Sequence, residues 1–199
     1  RLYAPNTDDF NNNGLGLLSD CIICDVTEAI NGEFEIEIQY PISGANYGNI
    51  AIGCIILSPI NPYQQDWQPF RIYYISKEHS GIVTIKAEHK SYELNGYTCL
   101  PNEDYKDNPS SCSTLMAYLS QQAYVSSNAL GSQQYSFSTD IQTTATWKIS
   151  GVTNVRNAMN IAAQAFNGEW EYNGASCVLK AHRGTNRNVK VSYGKNLTN

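Results

Sequence analysis

Three groups of residues in this chain have types and spacings that could do chemistry. Asp9, Asn11 and Asn13 stand at alternate positions, Gly14 follows them, and Asp20 lies eleven residues after Asp9. Oxygen donors in that rhythm, with a glycine at the sharp bend, are what a calcium loop offers a hard cation. The last position carries Asp where such a loop carries a bidentate Glu, and the flanks are not helical. A polar turn leading into a strand accounts for the run more simply. Cys21 and Cys24 form a single CxxC. It supplies only two of the four ligands that zinc takes, and in an extended strand its two thiols point to opposite faces. Carboxylates recur at Glu33, Glu35 and Glu37, and again at Glu169 and Glu171 on either side of Trp170. A glycosidase needs two carboxyls facing each other across a sugar, one of them with a raised pKa. These alternate along strands and read as solvated faces.

The other candidates are scattered. His79, His89 and His182 stand far apart near expected strand ends. None has the Ser, Cys or Asp surroundings of a nucleophilic triad, so they read as surface or hairpin-end residues. Tyr63, Trp67, Tyr73, Tyr74 and Tyr97 could stack on sugars, although alternate aromatics in strands are usually core. Asn196-Leu-Thr198 fits a glycosylation sequon, which has meaning only in a secreted eukaryotic protein. No catalytic residue, metal ligand or cofactor-binding residue is therefore nominated, and no cofactor is expected.

The elements that would position these groups are mostly strands. From Glu33 to Tyr40 the chain alternates strictly, with Phe34, Ile36, Ile38 and Tyr40 on one face and Glu33, Glu35, Glu37 and Gln39 on the other, the pattern of a half-buried strand. Further strands are expected at 16–27, 50–58, 70–77 and 82–89. Asn31-Gly32 marks a hairpin with a primed turn, and His79-Ser80-Gly81 closes another between Phe70–Ile75 and Ile82–Ala87. Five short strands with Gly, Pro and Asn punctuation suggest a small barrel or sandwich over 1–95.

The pattern changes near Asn95-Gly96. A polar linker spans 101–110, and Ser110 or Ser111 can cap a helix with Leu115, Met116, Leu119 and Ala123 on one side. Residues 125–150 read as a loop with strands around Tyr135–Phe137 and Ala145–Ile149. A second helix from about Thr153 carries Val155, Ala158, Met159, Ala162, Ala163 and Phe166 at amphipathic spacing, and Asn167-Gly168 ends it. Glu169–Tyr172 and Cys177–Ala181 flank Asn173-Gly174 as a hairpin. The fold class expected is a β-rich α+β protein: a β-barrel domain at 1–95, an α+β domain at 96–185, and at 186–199, with the strand Asn188–Tyr193, the start of a further, truncated barrel.

Composition narrows the function. A chain of 199 residues that is 42% hydrophobic can build one large or two small cores. A net charge of −5 without a Lys/Arg cluster argues against a grip on phosphate backbones. No apolar run approaches twenty residues, so neither a signal peptide nor a membrane span is expected. Six cysteines, mostly in strand-like runs, read as free, buried thiols of a protein made in a reducing cytosol.

The run NGLGLLSDCIICDVTEAINGEFEIEIQYP at 13–41, together with QPFRIYYISK at 68–77 and YGKNLT at 193–198, resembles the N-terminal region of phage tail proteins known as prophage endopeptidase tail or tail-associated lysin. The resemblance covers nearly the whole chain, most strongly over 13–95 and 166–198. It implies a homotrimeric hub at the tail tip of phages of Gram-positive hosts. The barrels of three subunits would form a ring that continues the tail tube, made in the bacterial cytoplasm and found in the virion. Its implied partners are the distal tail protein and the tape-measure and tube components. DNA would only pass through the channel, and the host cell wall would be met by hydrolase or receptor-binding domains outside this chain. On that reading the segment itself is structural and not an enzyme. The alternative is a monomeric carbohydrate (cell-wall) binding module, which the tyrosines would serve.

Overall fold

The computed structural model describes residues 1–60, 66–77 and 79–184. Tyr63, the expected strand Asn188–Tyr193, the sequon and the start of a further barrel at 186–199 lie outside the described residues. Six strands build the first half: β1 (Leu2–Tyr3), β2 (Ile23–Glu28), β3 (Phe34–Pro41), β4 (Ile55–Pro59), β5 (Trp67–Lys77) and β6 (Ile82–His89). They form one antiparallel sheet in the order β1-β4-β5-β6-β3-β2. On β3 the alternation is realised in full, with Phe34, Ile36, Ile38 and Tyr40 buried against Ile56, Phe70, Ile72, Val83 and Ile85. Each such side chain contributes roughly 1.5–3 kcal/mol as an upper bound.

This sheet is not closed into the expected barrel. Its end strands β1 and β2 do not pair with each other. The free edge of β1 is taken instead by Gly16, through Leu2 N–H to Gly16 O at 2.9 Å and Leu15 N–H to Leu2 O at 2.8 Å. Gly14 at φ 59° makes that return possible: the left-handed backbone disfavours a side chain, and a Cβ there would run into Leu2 O. The same turn explains why the strand expected over 16–27 begins only at Ile23. The sheet ends approach through side chains alone, Cys24 Sγ on β2 lying 3.8 Å from Ser58 Oγ on β4.

Both hairpins predicted for the first half form. The β2–β3 loop runs over residues 29–33, closed by Ala29 N–H to Glu33 O at 2.7 Å, and only Asn31 in it adopts a positive φ, 54°. A two-residue type I′ turn, the kind Asn-Gly favours, would need two such residues. Between β5 and β6 the register shifts at Ile72/Tyr74, so Tyr73 is an extra residue and Tyr73 and Tyr74 both face outward.

A 3₁₀ segment at Lys90–Gly96 leads into the second half. There follow β7 (Thr98–Cys99), β8 (Ser110–Ser111), helix α1 (Cys112–Leu130), β9 (Ser136–Thr139), β10 (Thr144–Ala145), β11 (Thr153–Asn154), helix α2 (Val155–Phe166), β12 (Glu169–Asn173) and β13 (Ser176–Lys180). The central sheet has the order β12-β13-β9, with β9 parallel to β13. Ser111 caps α1 by accepting from Thr114 N–H at 3.2 Å, and Asn154 caps α2 by accepting from Asn157 N–H at 2.7 Å. Left-handed Gly131 and Asn167 end the two helices. The first helix runs to Leu130, into the stretch expected to be loop. Both helices bury their apolar stripes on Phe137, Trp147, Trp170 and Leu179. The buried indoles of Trp147 and Trp170 donate to Ser110 Oγ at 2.8 Å and to Met159 O at 3.0 Å. Among the described residues no helix is long and apolar enough to cross a membrane.

Candidate functional site

A cleft of about 580 Å³ opens where the six-stranded sheet meets the end of α1. Arg71, Glu88, Lys90, Glu93 and Tyr97 line it, with Asp8 and Gln133 at its rim. Its charges are spent on one another. Arg71 pairs with Glu88 at 3.0 Å and with Glu93 at 3.9 Å. The buried Lys90 ammonium donates to Asp8, to Thr7 O at 3.2 Å and to Gln133 Oε1 at 2.6 Å, and desolvation lowers its pKa. Tyr97 donates to Ser132 Oγ at 3.0 Å, and burial raises its pKa. Such groups hold a seam, and none is left poised as a nucleophile beside a base.

Behind this cleft the halves are joined by a polar knot. His89, expected at a hairpin end or on the surface, is wholly buried, because β6 carries it inward beneath the second half. Its ring stacks on Phe34 at 4.4 Å and lies 5.5 Å from Tyr172. Nδ1 meets Ser91 Oγ at 2.9 Å, and Nε2 meets Gln68 Oε1 at 3.3 Å. Gly174 N–H donates to the same Gln68 oxygen at 2.9 Å. Burial, and secondarily the Arg156 charge, push the His89 pKa down to about 3. Arg156 stacks over Tyr92 at 3.9 Å and donates to Ser91 Oγ at 3.0 Å. Asn31 donates to Gly168 O and accepts from Trp170 N–H, both at 2.8 Å, while Arg183 pairs with Glu28 at 2.6 Å. No sequence signal pointed to this knot, whose members come from six separate segments.

The calcium-like run is dispersed into turns. Asp9 Oδ1 accepts from Asn11 N–H at 3.0 Å and from Asn11 Nδ2 at 2.8 Å, and Asn12 Oδ1 accepts from Gly14 N–H at 2.8 Å, as Asx turns do. Asp20 accepts instead from Tyr40 Oη at 3.2 Å and Ala45 N–H at 2.9 Å. Among the described residues no three His, Cys, Asp or Glu side chains are arranged to hold a metal. On the outer face of β3, Glu35 accepts from Tyr73 Oη at 2.8 Å and Glu37 pairs with Lys86 at 3.1 Å. Glu171 pairs with Lys180 at 2.6 Å, and Glu169 accepts from Arg183 N–H at 2.7 Å. These carboxylates act as cross-strand and loop partners. His79 and His182 are exposed, and of the aromatics proposed for stacking, Trp67, Tyr73 and Tyr74 are exposed by 42–46% while Tyr97 is buried.

The two thiols of the CxxC do not point apart. Cys21 lies in a turn, with Cys21 N–H on Leu18 O at 3.2 Å, and β2 starts after it, so strand alternation does not govern the pair. The Cys21 and Cys24 thiols line one groove of about 320 Å³ with Leu17, Leu18, Ile56, Ser58 and Trp67. All six cysteines are free. Cys54, Cys99, Cys112 and Cys177 are buried as expected, whereas Cys21 is half-buried and Cys24 exposed.

No protein-family model matches the chain, and no curated protein matches it in sequence. Among solved structures, the crystal structure of prophage tail protein gp18 from Listeria monocytogenes EGD-e is similar to it. The TM-score is 0.57 at 12% identity, over 81% of this chain and 45% of that one. The chain therefore spans less than half the length of that tail protein. The fold is an α+β fold similar to that of a prophage tail protein.

Proposed function

We propose that this chain is a structural, non-enzymatic segment of a phage tail-tip hub, carried in the virion. The observation that carries the proposal is the likeness of its fold to prophage tail protein gp18 along 81% of its length. Three copies would surround a channel, with the six-stranded sheet in the ring and the α+β half beside it. The hub would dock on the distal tail protein, pass DNA and tape measure through its channel, and present cell-wall-acting or receptor-binding domains outside this chain. The outer edge of β2 suits such a ring: among the described residues no strand pairs with it, and Ile22 and Ile23 beside it are exposed by 54% and 37%. An open strand edge is a surface on which another chain can build.

Light scattering of the purified chain over a wide concentration range tests the assembly. A trimeric mass supports the hub, and peptidoglycan hydrolysis by this chain alone would overturn its non-enzymatic character. A second reading, a monomeric cell-wall carbohydrate-binding module, rests on the outward-facing Trp67, Tyr73 and Tyr74. A strictly monomeric chain that is retained on cell-wall glycan would favour it.

A further inference from the structure

We propose that Cys21 and Cys24 form a redox-active dithiol that is modified by thiol–disulfide exchange with small-molecule disulfides of the glutathione class. The geometry is local and does not depend on the tail-hub reading. The turn at 18–21 and the start of β2 put both thiols on the wall of one groove, which is mainly apolar and is also lined by Arg1, Ser19 and Ser58. Their surroundings also differ. Cys24 is exposed and lies beside Ser58 Oγ at 3.8 Å, while Cys21 is half-buried with its Sγ 2.8 Å from Ile23 O.

That asymmetry assigns the order of attack. The hydrogen bond from Cys21, with a further one from Ser58, pulls the Cys24 thiol down to about 6, whereas the Cys24 contact and burial push Cys21 up. Exchange needs a thiolate that can reach the disulfide. The Cys24 thiolate attacks one sulfur of the small disulfide, the S–S bond breaks, and one small thiolate leaves. Cys21 then gives its proton to that thiolate and attacks the Cys24 sulfur of the mixed disulfide, expelling the second small thiolate, which takes up from water the proton that Cys24 gave up. Two protein thiols are oxidised to a Cys21–Cys24 bond as one disulfide is reduced to two thiols. Leu17, Leu18, Ile56 and Trp67 around the groove give the mixed disulfide an apolar wall to lie against. Cys54, Cys99, Cys112 and Cys177 have no such access, being buried.

The native, fully reduced chain is incubated in graded mixtures of reduced and oxidised glutathione, quenched with an alkylating reagent, and cleaved before aspartate. Cleavage before Asp20 and Asp25 releases a peptide holding both cysteines and no other. The expected result is that this peptide loses two hydrogens and escapes alkylation as oxidised glutathione rises, while the four buried cysteines still alkylate only after unfolding. Cys21→Ser should arrest the reaction with one glutathione on Cys24. Cys24→Ser should abolish both the internal bond and the adduct. These exposed or half-exposed positions tolerate serine, and circular dichroism matching the parent verifies the fold. The proposal is overturned if the peptide stays reduced across the whole series, if its bond forms only in denaturant, or if the buried cysteines react equally fast.

Discussion

His89 has no exposed surface and faces Phe34, Phe70 and Tyr172, with Ser91 and Gln68 on its two nitrogens and the Arg156 charge nearby. With a folded pKa near 3 against an ordinary value of 6.5, the native ring is neutral while the unfolded ring takes up a proton as pH falls below 6.5. The unfolded state binds more protons throughout that window, so stability is full above pH 6.5 and declines toward pH 3. The limiting slope is about 1.4 kcal/mol per pH unit. Urea titrations at pH 7, 6, 5 and 4 should show this decline, and His89→Gln, which cannot titrate, should flatten it by about one proton. Asn31 offers a second test at this scale. Replacing it with Ala removes the bonds to Gly168 O and Trp170 N–H and leaves a Cβ residue at φ 54°. The expected loss is roughly 2–4 kcal/mol. Asn31→Gly should recover about 1 kcal/mol of that in urea midpoints, because glycine accepts the backbone and only the side-chain bonds stay lost.

At the scale of elements, what the sequence reveals depends on how local the cause is. Strand β3 was legible because one face is wholly buried and the other solvated, so every second residue carries the signal. Helix α2 was legible from the same logic at helical spacing, with Asn167-Gly168 marking its end, and the structure adds Asn154 as its N-cap. Asn154→Ala should therefore cost about 1 kcal/mol in thermal or urea unfolding, since Asn157 N–H loses its only cap. The beginning of β2 was misread because Gly14-Leu-Gly-Leu-Leu18 is as apolar as a strand, and only the backbone at Gly14 and Gly16 turns it aside. The last turns of α1 were missed because Ser126 and Ser127 are buried there: Ser126 donates to Thr98 O at 3.0 Å and Ser127 to Tyr124 O at 3.0 Å. Strand alternation likewise misplaced the Cys21 thiol, which belongs to a turn. The His89 knot had no local cause to read, since Gln68, His89, Arg156 and Gly174 meet only once both halves have folded.

At the scale of the whole molecule, that knot determines whether the two cores behave as one. The first core lies within the six-stranded sheet and the second around the helices. Side chains from Asn31, Gln68, His89, Arg156 and Arg183 cross between them, His89 through its ring against Tyr172. Polar groups buried in a seam cost free energy when a partner is withdrawn, so opening one half exposes unsatisfied groups on the other and the halves should unfold together. Native-state hydrogen exchange of the parent chain should therefore give β3, β6, α1 and α2 the same limiting opening free energy. Arg156→Met removes the stack on Tyr92 and the bond to Ser91 Oγ while keeping an apolar stem of similar length. Combined with Asn31→Ala, it should separate that common value into two, one for the peptides of the sheet and one for those of the helices. The two substitutions should not add, because Arg156 also reaches Gly32 O at 3.5 Å, next to Asn31. A double variant that still opens as one unit would show that apolar contact between the halves, such as Tyr172 against Phe34 at 6.2 Å, couples them without the polar seam.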